Sequence, residues 1–498
     1  MRASSPWIRY GLLFAGAAAL SAVTILRGIN PHDEGLMLHA AARIVDGQLP
    51  YRDFWWNYGP GQPLLLGGLQ EVFGPSLLCW RILRVLTDGT VAVLAYVIVR
   101  RDASEPLALG AWLAVAGAMA FPSIPGPNPP AMALGLGAIL LARRSPVGAG
   151  ALAGAGVAFR LELGLACVAG ALIAAVAAAP VGVARAAAVR TGAAATGVAL
   201  VLLGPFVLAG GPGAFWDDTV GFDFGAQSLQ RLPLPGAWHG GVDLNDILDF
   251  YFPYVLLAGV LLWALAAARD RPPLRAWAAV PLAAAGIAYL VGRPDEFHLI
   301  PLAAALPILL ATAADRERRA RHAVLSGALI AGLALVVVHG LDRKFVQAFR
   351  SPSLARIHLD VTDGVRAEPA EARSLEALHR YVDARVPPGR PIFVANPRHD
   401  LVKVGNPLGY VLLDRPNPTR YDVMQPGVVT TAKVQREMLR DLRRTQPRLV
   451  VRWVSPVASQ REPDGAGRSS GVRILDRYLA STYVRGRRFG YYEVLVRR

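Results

Sequence analysis

Long apolar stretches separated by short polar segments dominate the first two thirds of the chain. Eleven of them are candidate membrane helices, since a full crossing needs about 20 residues and fewer where a helix ends in a polar cavity. They cover residues 7–26, 82–99, 105–121, 131–142, 147–159, 163–181, 191–210, 248–268, 276–292, 299–314 and 323–339. The pattern predicts a mostly α-helical, polytopic bundle of about eleven transmembrane helices.

After residue 339 no stretch is long enough to span a membrane, and helical and extended patterns alternate. Helical spacing at 371–386, 431–445 and 472–482 is followed each time by a short apolar run typical of a strand, at 391–395, 449–454 and 491–496. Repeated helix-then-strand order predicts a small α/β layer. We therefore expect a transmembrane domain at residues 1–340 and a soluble extracytoplasmic α/β domain at 341–498.

Composition and charge support a membrane protein and set its orientation. The chain is 53% hydrophobic and only 18% charged, too apolar for an ordinary soluble domain. Its net charge of +16 does not indicate nucleic-acid binding, because arginines cluster between apolar stretches as they do in cytoplasmic loops. The clusters are Arg100 and Arg101, Arg143 and Arg144, Arg185 and Arg190, Arg269 to 275, and Arg316 to 321. With the N-terminus inside, all of them lie on the cytoplasmic side.

The other polar clusters then lie together on the outer side. The first is the carboxylate pair Asp33 and Glu34, placed where the first helix leaves the bilayer; acids at a membrane boundary usually mark a substrate or ion site. An aromatic loop at 51–60 follows, typical of an interfacial belt around a pocket. The segments at 160–162 and 293–298 place further charged residues on the same side.

Each cluster also has a purely structural interpretation. Asp33 and Glu34 could be a solvated loop pair, and Arg160 with Glu162 a structural ion pair. Arg293 and His298 could cap a helix or reach lipid headgroups. The turn-rich segment at 416–422 could be a rigid surface loop or could face the membrane site.

Taken together, these motifs resemble those of the integral-membrane glycosyltransferases of the GT-C fold. The resemblance rests on Asp33-Glu34 after the first helix, Tyr58-Gly59-Pro60, the step at 159–164 and the motif at 293–298, and it covers about residues 1–340. The most similar branch comprises bacterial relatives of dolichyl-phosphate-mannose protein mannosyltransferases and of the lipid A aminoarabinose transferase. Asp53 and Asn57 stand where that last enzyme would have a basic residue, which argues against a lipid A acceptor.

The resemblance implies an inverting transfer of a sugar from a polyprenyl-phosphate donor to a glycan, lipid or protein acceptor of the cell envelope, at the outer face of the bacterial plasma membrane. Asp33 is then the predicted base, and Glu34, the second predicted catalytic residue, is expected to orient Asp33 or the sugar hydroxyls. Arg160, Arg293 and His298 are expected to bind phosphate, because arginine forms forked, charge-assisted hydrogen bonds. Glu162 is expected to hold Arg160. The predicted substrate-binding set is completed by Asp53, Trp56, Asn57 and Tyr58.

Other functions remain open from the sequence alone. His32, Asp33, Glu34 and His298 offer ligands for a divalent cation, but no spacing is diagnostic, and we predict that no metal is required. A transporter or flippase of lipid-linked sugars is the main alternative; such proteins often show paired halves, and no repeat is visible here. An inactive membrane scaffold would keep the fold without needing Asp33.

Overall fold

The membrane part of the protein is a bundle of α-helices. The computed structural model describes residues 6–119, 126–236, 241–267, 277–350 and 353–498. The described part of each of the eleven predicted apolar stretches falls mainly on a helix. Residues 120, 121, 268 and 276 of those stretches, and the arginine cluster at 269–275, lie outside the described residues. The helices of this part are α1 (Pro6–Ala22), α2 (Asp33–Val45), α3 (Gly61–Phe73), α4 (Leu77–Asp102), α5 (Glu105–Met119), α6 (Asn128–Leu141), α7 (Pro146–Phe159), α8 (Leu161–Ala178), α9 (Ala184–Gly210), α10 (Pro212–Asp218), α11 (Val220–Phe224), α12 (Phe252–Ala267), α13 (Val280–Gly292), α14 (Glu296–Arg319) and α15 (Ala323–Phe349).

Several of these helices are long and apolar enough to cross a membrane. Within the described chain six meet that criterion: α4, α8, α9 with the turn before it, α12 with the π-helical turn Ile247–Tyr251 before it, α14 and α15. The helices α5, α6, α7 and α13 are apolar but shorter. The chain is therefore a multi-pass helical membrane protein, while the number of eleven crossings stays a prediction.

Small residues allow some of the helices to pack very closely. A Cβ added at Gly150 would meet the carbonyl oxygen of Thr191, and one at Gly154 would meet that of Ala195. This four-residue spacing places both glycines of α7 on the side facing α9, the pattern by which membrane helices bring their backbones together. The glycine- and alanine-rich stretch 147–159 is thus a helix of the bundle core, although it is short.

Two helices, α2 and α3, lie where the sequence analysis expected only an outer loop. Their patterns are too short and too polar for a membrane span, so hydropathy does not detect them. Residues of α2 and of the aromatic loop at 51–60 pack into a hydrophobic core shared with the C-terminal domain; Tyr51, Phe54, Trp55 and Trp56 are all buried there. The aromatic loop therefore joins the two domains.

The C-terminal domain is the predicted small α/β layer. Its helices are α16 (Pro369–Asp383), α17 (Leu408–Leu412), α18 (Ala432–Thr445) and α19 (Ile474–Thr482), and its strands are β1 (Ala355–Arg356), β2 (Arg366–Ala367), β3 (Phe393–Ala395), β4 (Leu449–Trp453), β5 (Tyr483–Phe489) and β6 (Tyr492–Arg497). The main sheet has the order β3-β4-β6-β5, with β3 and β4 parallel and the other pairs antiparallel. Strand β5 was not predicted from the sequence, because its exposed run of arginines hides the pattern.

The C-terminal domain sits directly on the carboxylate motif. The last bundle helix, α15, continues past the predicted boundary to Phe349. A Cβ at Gly35 would collide with the backbone of Leu408, so α2 and α17 touch at the residue that follows Asp33 and Glu34. The backbone N–H of Leu408 also donates to the carbonyl of Pro31 at 3.1 Å. The position of the acidic pair is therefore set partly by the C-terminal domain.

Candidate active site

A cavity of about 710 Å³ lies between the two domains. Its walls come from loops and helix ends at one end of the bundle and from the C-terminal domain. The polar lining residues include Asn30, His32, Asp33, Asn57, Tyr58, Arg84, Asp88, Asp223, Gln230, Asp246, Tyr289, Arg293, Asp295, Glu296, His298, Lys403, Gln425 and Glu462, with Arg160. The outer polar clusters that the sequence analysis grouped on one side thus converge on one space.

Asp33 is held at the cavity wall by a local turn. The side-chain oxygen of Asn30 accepts hydrogen bonds from the backbone N–H groups of His32 and Asp33, at 3.1 and 2.8 Å. This turn starts α2 at Asp33, the usual role of an asparagine before a helix. The Asn30 amide also donates to the Asp33 carboxylate at 3.3 Å. Asp33 therefore presents a fixed carboxylate to the cavity.

Glu34, the second member of the pair, lies elsewhere. It is fully buried, and its two carboxylate oxygens accept from Arg81 of α4 at 2.7 and 2.8 Å. Arg81 also donates to the carbonyls of Ile25 and Gly28, just after α1. Glu34 does not line the cavity, because neighbouring residues of a helix point about 100° apart. The structure thus places only Asp33 of the predicted catalytic pair at the cavity wall and gives Glu34 the contacts of an internal ion pair.

Arg160 lies at the cavity wall inside an aromatic and acidic cage. Its Nε lies 2.7 Å from the Glu162 carboxylate and 2.6 Å from the Tyr289 hydroxyl, which itself donates to Glu162. The guanidinium also stacks over the rings of Tyr58 and Tyr289, at 4.6 and 4.9 Å from their centroids. Glu162 makes the expected contact with Arg160 but does not line the cavity itself. The cage fixes the direction of the arginine.

Arg293 is surrounded by three carboxylates rather than free for a ligand. Its guanidinium lies 2.9 Å from Asp295, 3.0 Å from Glu462 and 3.3 Å from Asp464, and it donates to the carbonyl of Gln230 at 2.8 Å. Two of those acids belong to the C-terminal domain, so Arg293 joins the domains at the cavity wall. A hydrogen bond of 2.5 Å joins the ring of its neighbour His298 to Asp295.

Two other predicted residues are away from the cavity. Asp53 pairs with Arg52 at 2.7 Å on the protein surface and accepts from the backbone N–H of Leu49. Trp56 is buried, and its indole donates to the carbonyl of Gly59 at 2.9 Å. The structure therefore does not bring these two predicted residues to the cavity, whereas Asn57 and Tyr58 of the same loop line it.

The sequence analysis missed a charged pair inside an apolar stretch. Arg84 and Asp88 of α4 line the cavity, although both fall within the predicted span 82–99. Their side chains are 3.5 Å apart, and Asp88 accepts from the Ser21 hydroxyl of α1 at 2.7 Å. Because ionisable residues within membrane helices are rare and usually functional, their presence in that stretch was the available signal.

Residues of the C-terminal domain complete the polar wall. Gln425 contacts the ring of His32 at 2.8 Å, next to Asp33. Lys403 lies 2.5 Å from Glu462, which also binds Arg293. These residues could not be assigned to the site from the sequence, because they are far from the membrane segments along the chain and belong to a domain with no recognisable motif.

Burial shifts the ionisation of several groups around the cavity. Burial raises the pKa of Asp223 to about 6, helped by the charge of Glu162 and opposed by that of Arg160. Burial also lowers the pKa of His32, although the charge of Asp33 acts against it. For Asp295, burial is outweighed by His298 and Arg293, so its pKa is lowered. At neutral pH the wall therefore combines a neutral imidazole with fixed charges.

The cavity contains many oxygen and nitrogen ligands, yet they are dispersed. Across the ranges that the structure describes, no three His, Cys, Asp or Glu side chains are close enough together to hold a metal ion. On the wall Asp88 faces Arg84, and Asp295 faces Arg293 and His298. This distribution of charge suits an anionic group and a polar group held side by side.

The opposite end of the bundle has a different character. Arg9 and Arg100 both bind Glu105, at 3.3 and 2.6 Å. The backbone N–H of Ser104 donates to Asp315, which also pairs with Arg318 and Arg319. The arginine clusters of several loops thus meet at one end, and the cavity with the C-terminal domain is at the other.

Comparison with known proteins shows similarity in structure only. No family model and no curated protein sequence matches the chain. The solved structure of ArnT from Cupriavidus metallidurans bound to undecaprenyl phosphate superposes with a TM-score of 0.55 over 99% of this chain and 98% of that one, at 16% identity. The protein therefore has the GT-C-like fold of integral-membrane glycosyltransferases.

Two further neighbours share this fold. The archaeal oligosaccharyltransferase AglB from Archaeoglobus fulgidus, in complex with an inhibitory peptide and a dolichol-phosphate, gives a TM-score of 0.54 at 14% identity, covering 91% of this chain and 70% of that one. The arabinofuranosyltransferase AftD from Mycobacteria gives 0.53 at 13% identity, covering 99% of this chain and 40% of the other, longer one. The names of these two neighbours point to different transferred groups, an oligosaccharide and an arabinofuranose, so the fold alone does not identify the sugar.

Proposed function

We propose that this protein is an inverting glycosyltransferase that moves a sugar from a polyprenyl-phosphate donor to an extracytoplasmic acceptor. The observation that supports it best is the cavity at the end of a GT-C-like bundle opposite the arginine-rich loops, lined by both Asp33 and Arg160. A single displacement with inversion needs a base for the acceptor and cations for the leaving phosphate. Asp33 and Arg160 offer both groups to this cavity.

Asp33 is the proposed base. Its carboxylate faces the cavity and is held by the Asn30 turn, so it can accept a proton from an acceptor hydroxyl as that oxygen attacks the anomeric carbon. The carbon–oxygen bond to the phosphate breaks in the same step, and the lipid phosphate leaves with the bonding electrons. Glu34 has no direct part in this proposal, because its carboxylate is bound to Arg81.

Arg160 is the principal candidate for the phosphate, with Arg84 as a second. The Glu162 and Tyr289 contacts hold the Arg160 guanidinium before substrate arrives, so little reorganisation is needed when charge grows on the leaving group. Arg84 is at the cavity wall within the membrane part, where the carrier would enter. Arg293 and His298 would contribute only if a ligand displaced the acids that now surround them.

The lipid part of the donor would use an apolar pocket beside the cavity. This pocket is lined by residues of α12, α14 and α15, among them Phe252, Leu299, Leu306 and Val336. It shares Glu296 and Ile300 with the large cavity, so the two spaces adjoin. A polar cavity next to an apolar one matches a donor whose sugar phosphate is polar and whose chain is not.

The orientation follows from charge. If the arginine-rich end of the bundle is cytoplasmic, we expect reporter fusions at Arg144 and Arg319 to read cytoplasmic and a fusion after Arg498 to read periplasmic or extracellular. The measurement pairs a reporter active only inside the cell with one active only outside. A cytoplasmic signal from the C-terminal fusion would place the cavity on the wrong side for an extracytoplasmic acceptor.

The function can be tested directly with purified protein. We would incubate it with polyprenyl-phosphate sugars radiolabelled in the sugar and follow the label into water, glycan, lipid or protein. Release from the carrier supports a transferase. In sealed vesicles, movement of intact labelled donor across the bilayer without cleavage would instead identify the alternative, a flippase or transporter of lipid-linked sugars.

Arg293→Lys tests whether the contact that Arg293 makes between the two domains is also needed for sugar transfer. A lysine keeps one charge but cannot make the forked contacts, so we expect turnover to fall about 10-fold while the protein still inserts and folds. Turnover is measured together with the rate of proteolysis of the C-terminal domain, which reports whether that domain stays docked. The control is Arg461→Lys, at an exposed position of the C-terminal domain. Unchanged turnover would show that Arg293 only anchors the domains.

A further inference from the structure

The C-terminal domain carries most of the net positive charge of the chain. Between residues 353 and 498 there are 26 arginines and lysines against 15 aspartates and glutamates, a net charge of +11 out of +16 for the whole chain. This excess has no part in the positive-inside pattern, because the domain packs against the end of the bundle opposite the arginine-rich loops. Its distribution over the surface therefore needs its own explanation.

The charge is concentrated on the outward side of α18. Val434, Met438 and Leu442 bury one side of this helix in the domain core. The opposite side exposes the basic residues Lys433, Arg436, Arg440, Arg443 and Arg444. Because they recur every three or four residues, they form one column along the helix, roughly 16 Å long at 1.5 Å per residue.

The two acids of the same helix offset this column only in part. Glu437 points aside to the Tyr421 hydroxyl at 2.8 Å and to Arg420 at 3.7 Å. Asp441 pairs with Arg444 at 3.2 Å, at one end of the column, and also faces the charge of Arg440. Beside this column Arg443 lies 6.0 Å from the ring of Tyr478 in α19, and Arg477, which precedes Tyr478 in the sequence, is exposed. We define the basic face as the five basic residues of α18 with Arg477.

Helix α16 of the same domain offers a contrast. Its polar side mixes signs, with Arg373 and Arg380 beside Glu376 and Asp383. Basic residues are therefore not simply spread over every helix of the domain. Basic residues predominate on the exposed side of α18, whereas the exposed side of α16 mixes both signs. The positive charge on α18 is therefore a local feature of the surface, and such a patch can attract a ligand of opposite charge.

We propose that the basic face binds an anionic glycan, a polysaccharide that carries uronate or phosphate groups along its length. Cations spaced about 5–6 Å apart in a row match a chain with repeated negative groups. Along the chain the helix is close to the cavity wall: Gln425 and Pro426 line the cavity, and α18 starts at Ala432. That the bound glycan is also the acceptor rests on the proposed function, whereas the binding itself does not.

Two other polyanions fit the basic face less well. Membrane-surface helices add exposed large hydrophobic residues to their charge, and none of the exposed large hydrophobic residues in the described chain belongs to α18 or α19. Single-stranded nucleic acid is bound through aromatic side chains that stack on bases, and neither helix exposes one. The basic face presents a row of positive charges without exposed large hydrophobic side chains, which suits a hydrophilic polyanion.

The test compares two triple variants of the full-length protein in detergent. Arg436→Gln, Arg440→Gln and Arg443→Gln remove three charges from the basic face. Arg373→Gln, Arg380→Gln and Arg390→Gln remove three exposed charges elsewhere in the domain. With labelled polygalacturonate as the probe, we expect the first triple variant to bind about 10-fold more weakly than wild type or worse, and the second to bind within 2-fold of wild type. Neutral dextran should not bind.

Each outcome decides between clear alternatives. Equal weakening by both triple variants would show attraction by net charge alone and overturn the proposal. So would tighter binding of phosphatidylglycerol vesicles or of single-stranded DNA than of polygalacturonate. Sugar transfer to a short neutral acceptor should be unchanged in the first triple variant; if no transfer is seen even in wild type while the glycan still binds the basic face, the proposed function fails and the binding site stands.

Discussion

Asp33→Asn is expected to reduce sugar transfer by about 10²-fold or more while the protein folds and binds donor normally. The change is nearly isosteric and removes the charge and basicity of the one carboxylate of the pair that faces the cavity. An asparagine can keep the contact with Asn30, so the turn that starts α2 should survive. Single-turnover rate and donor affinity should be measured separately.

Asp53→Asn is the matched control for that experiment. It makes the same chemical change in the same outer region, at a carboxylate that lies on the surface with Arg52. We expect its turnover to stay within 2-fold of wild type. If Asp33→Asn weakens donor affinity but leaves the single-turnover rate intact, Asp33 binds the sugar and does not take the proton. Wild-type transfer by Asp33→Asn would remove the main support for the proposed reaction.

Glu34→Gln is expected to act on folding rather than on chemistry. It leaves the buried Arg81 without a counter-charge, and breaking a buried ion pair of this kind typically costs about 3–5 kcal/mol. Because Arg81 also holds the chain after α1, the loss should appear as a low yield of folded protein and a lower Tm. Protein that does fold should retain much of its specific activity.

The double variant Glu34→Gln with Arg81→Gln separates the two effects. Removing both charges should restore a good part of the Tm, since neither buried charge is then unpaired. The rescue is measured by comparing the change in Tm of the double variant with the sum of the changes in Tm of the two single variants. If Glu34→Gln folds normally but loses turnover, Glu34 takes part in the reaction and is not only a structural ion-pair partner.

Hydropathy and charge predicted much of the architecture. The apolar stretches fell on helices, and the helix-then-strand order after residue 340 predicted the α/β layer, because both depend on local periodicity. The same local rules could not detect α2 and α3, whose short amphipathic patterns mean little without a partner. They also could not separate Asp33 from Glu34, since adjacent residues share the same sequence context and differ only in direction.

Within the site, the sequence alone determined which polar segments occur between apolar helices and on which side of the bundle they gather. Only the tertiary structure decided their partners: Arg293 meets Glu462 and Asp464, Arg160 meets Tyr289, and Arg84 reaches the cavity from inside an apolar helix. The physical reason is that helix periodicity is fixed by neighbours a few residues apart. The cavity, in contrast, is formed by the packing of two domains whose contacts join residues hundreds of positions apart along the chain, and no local pattern encodes that packing.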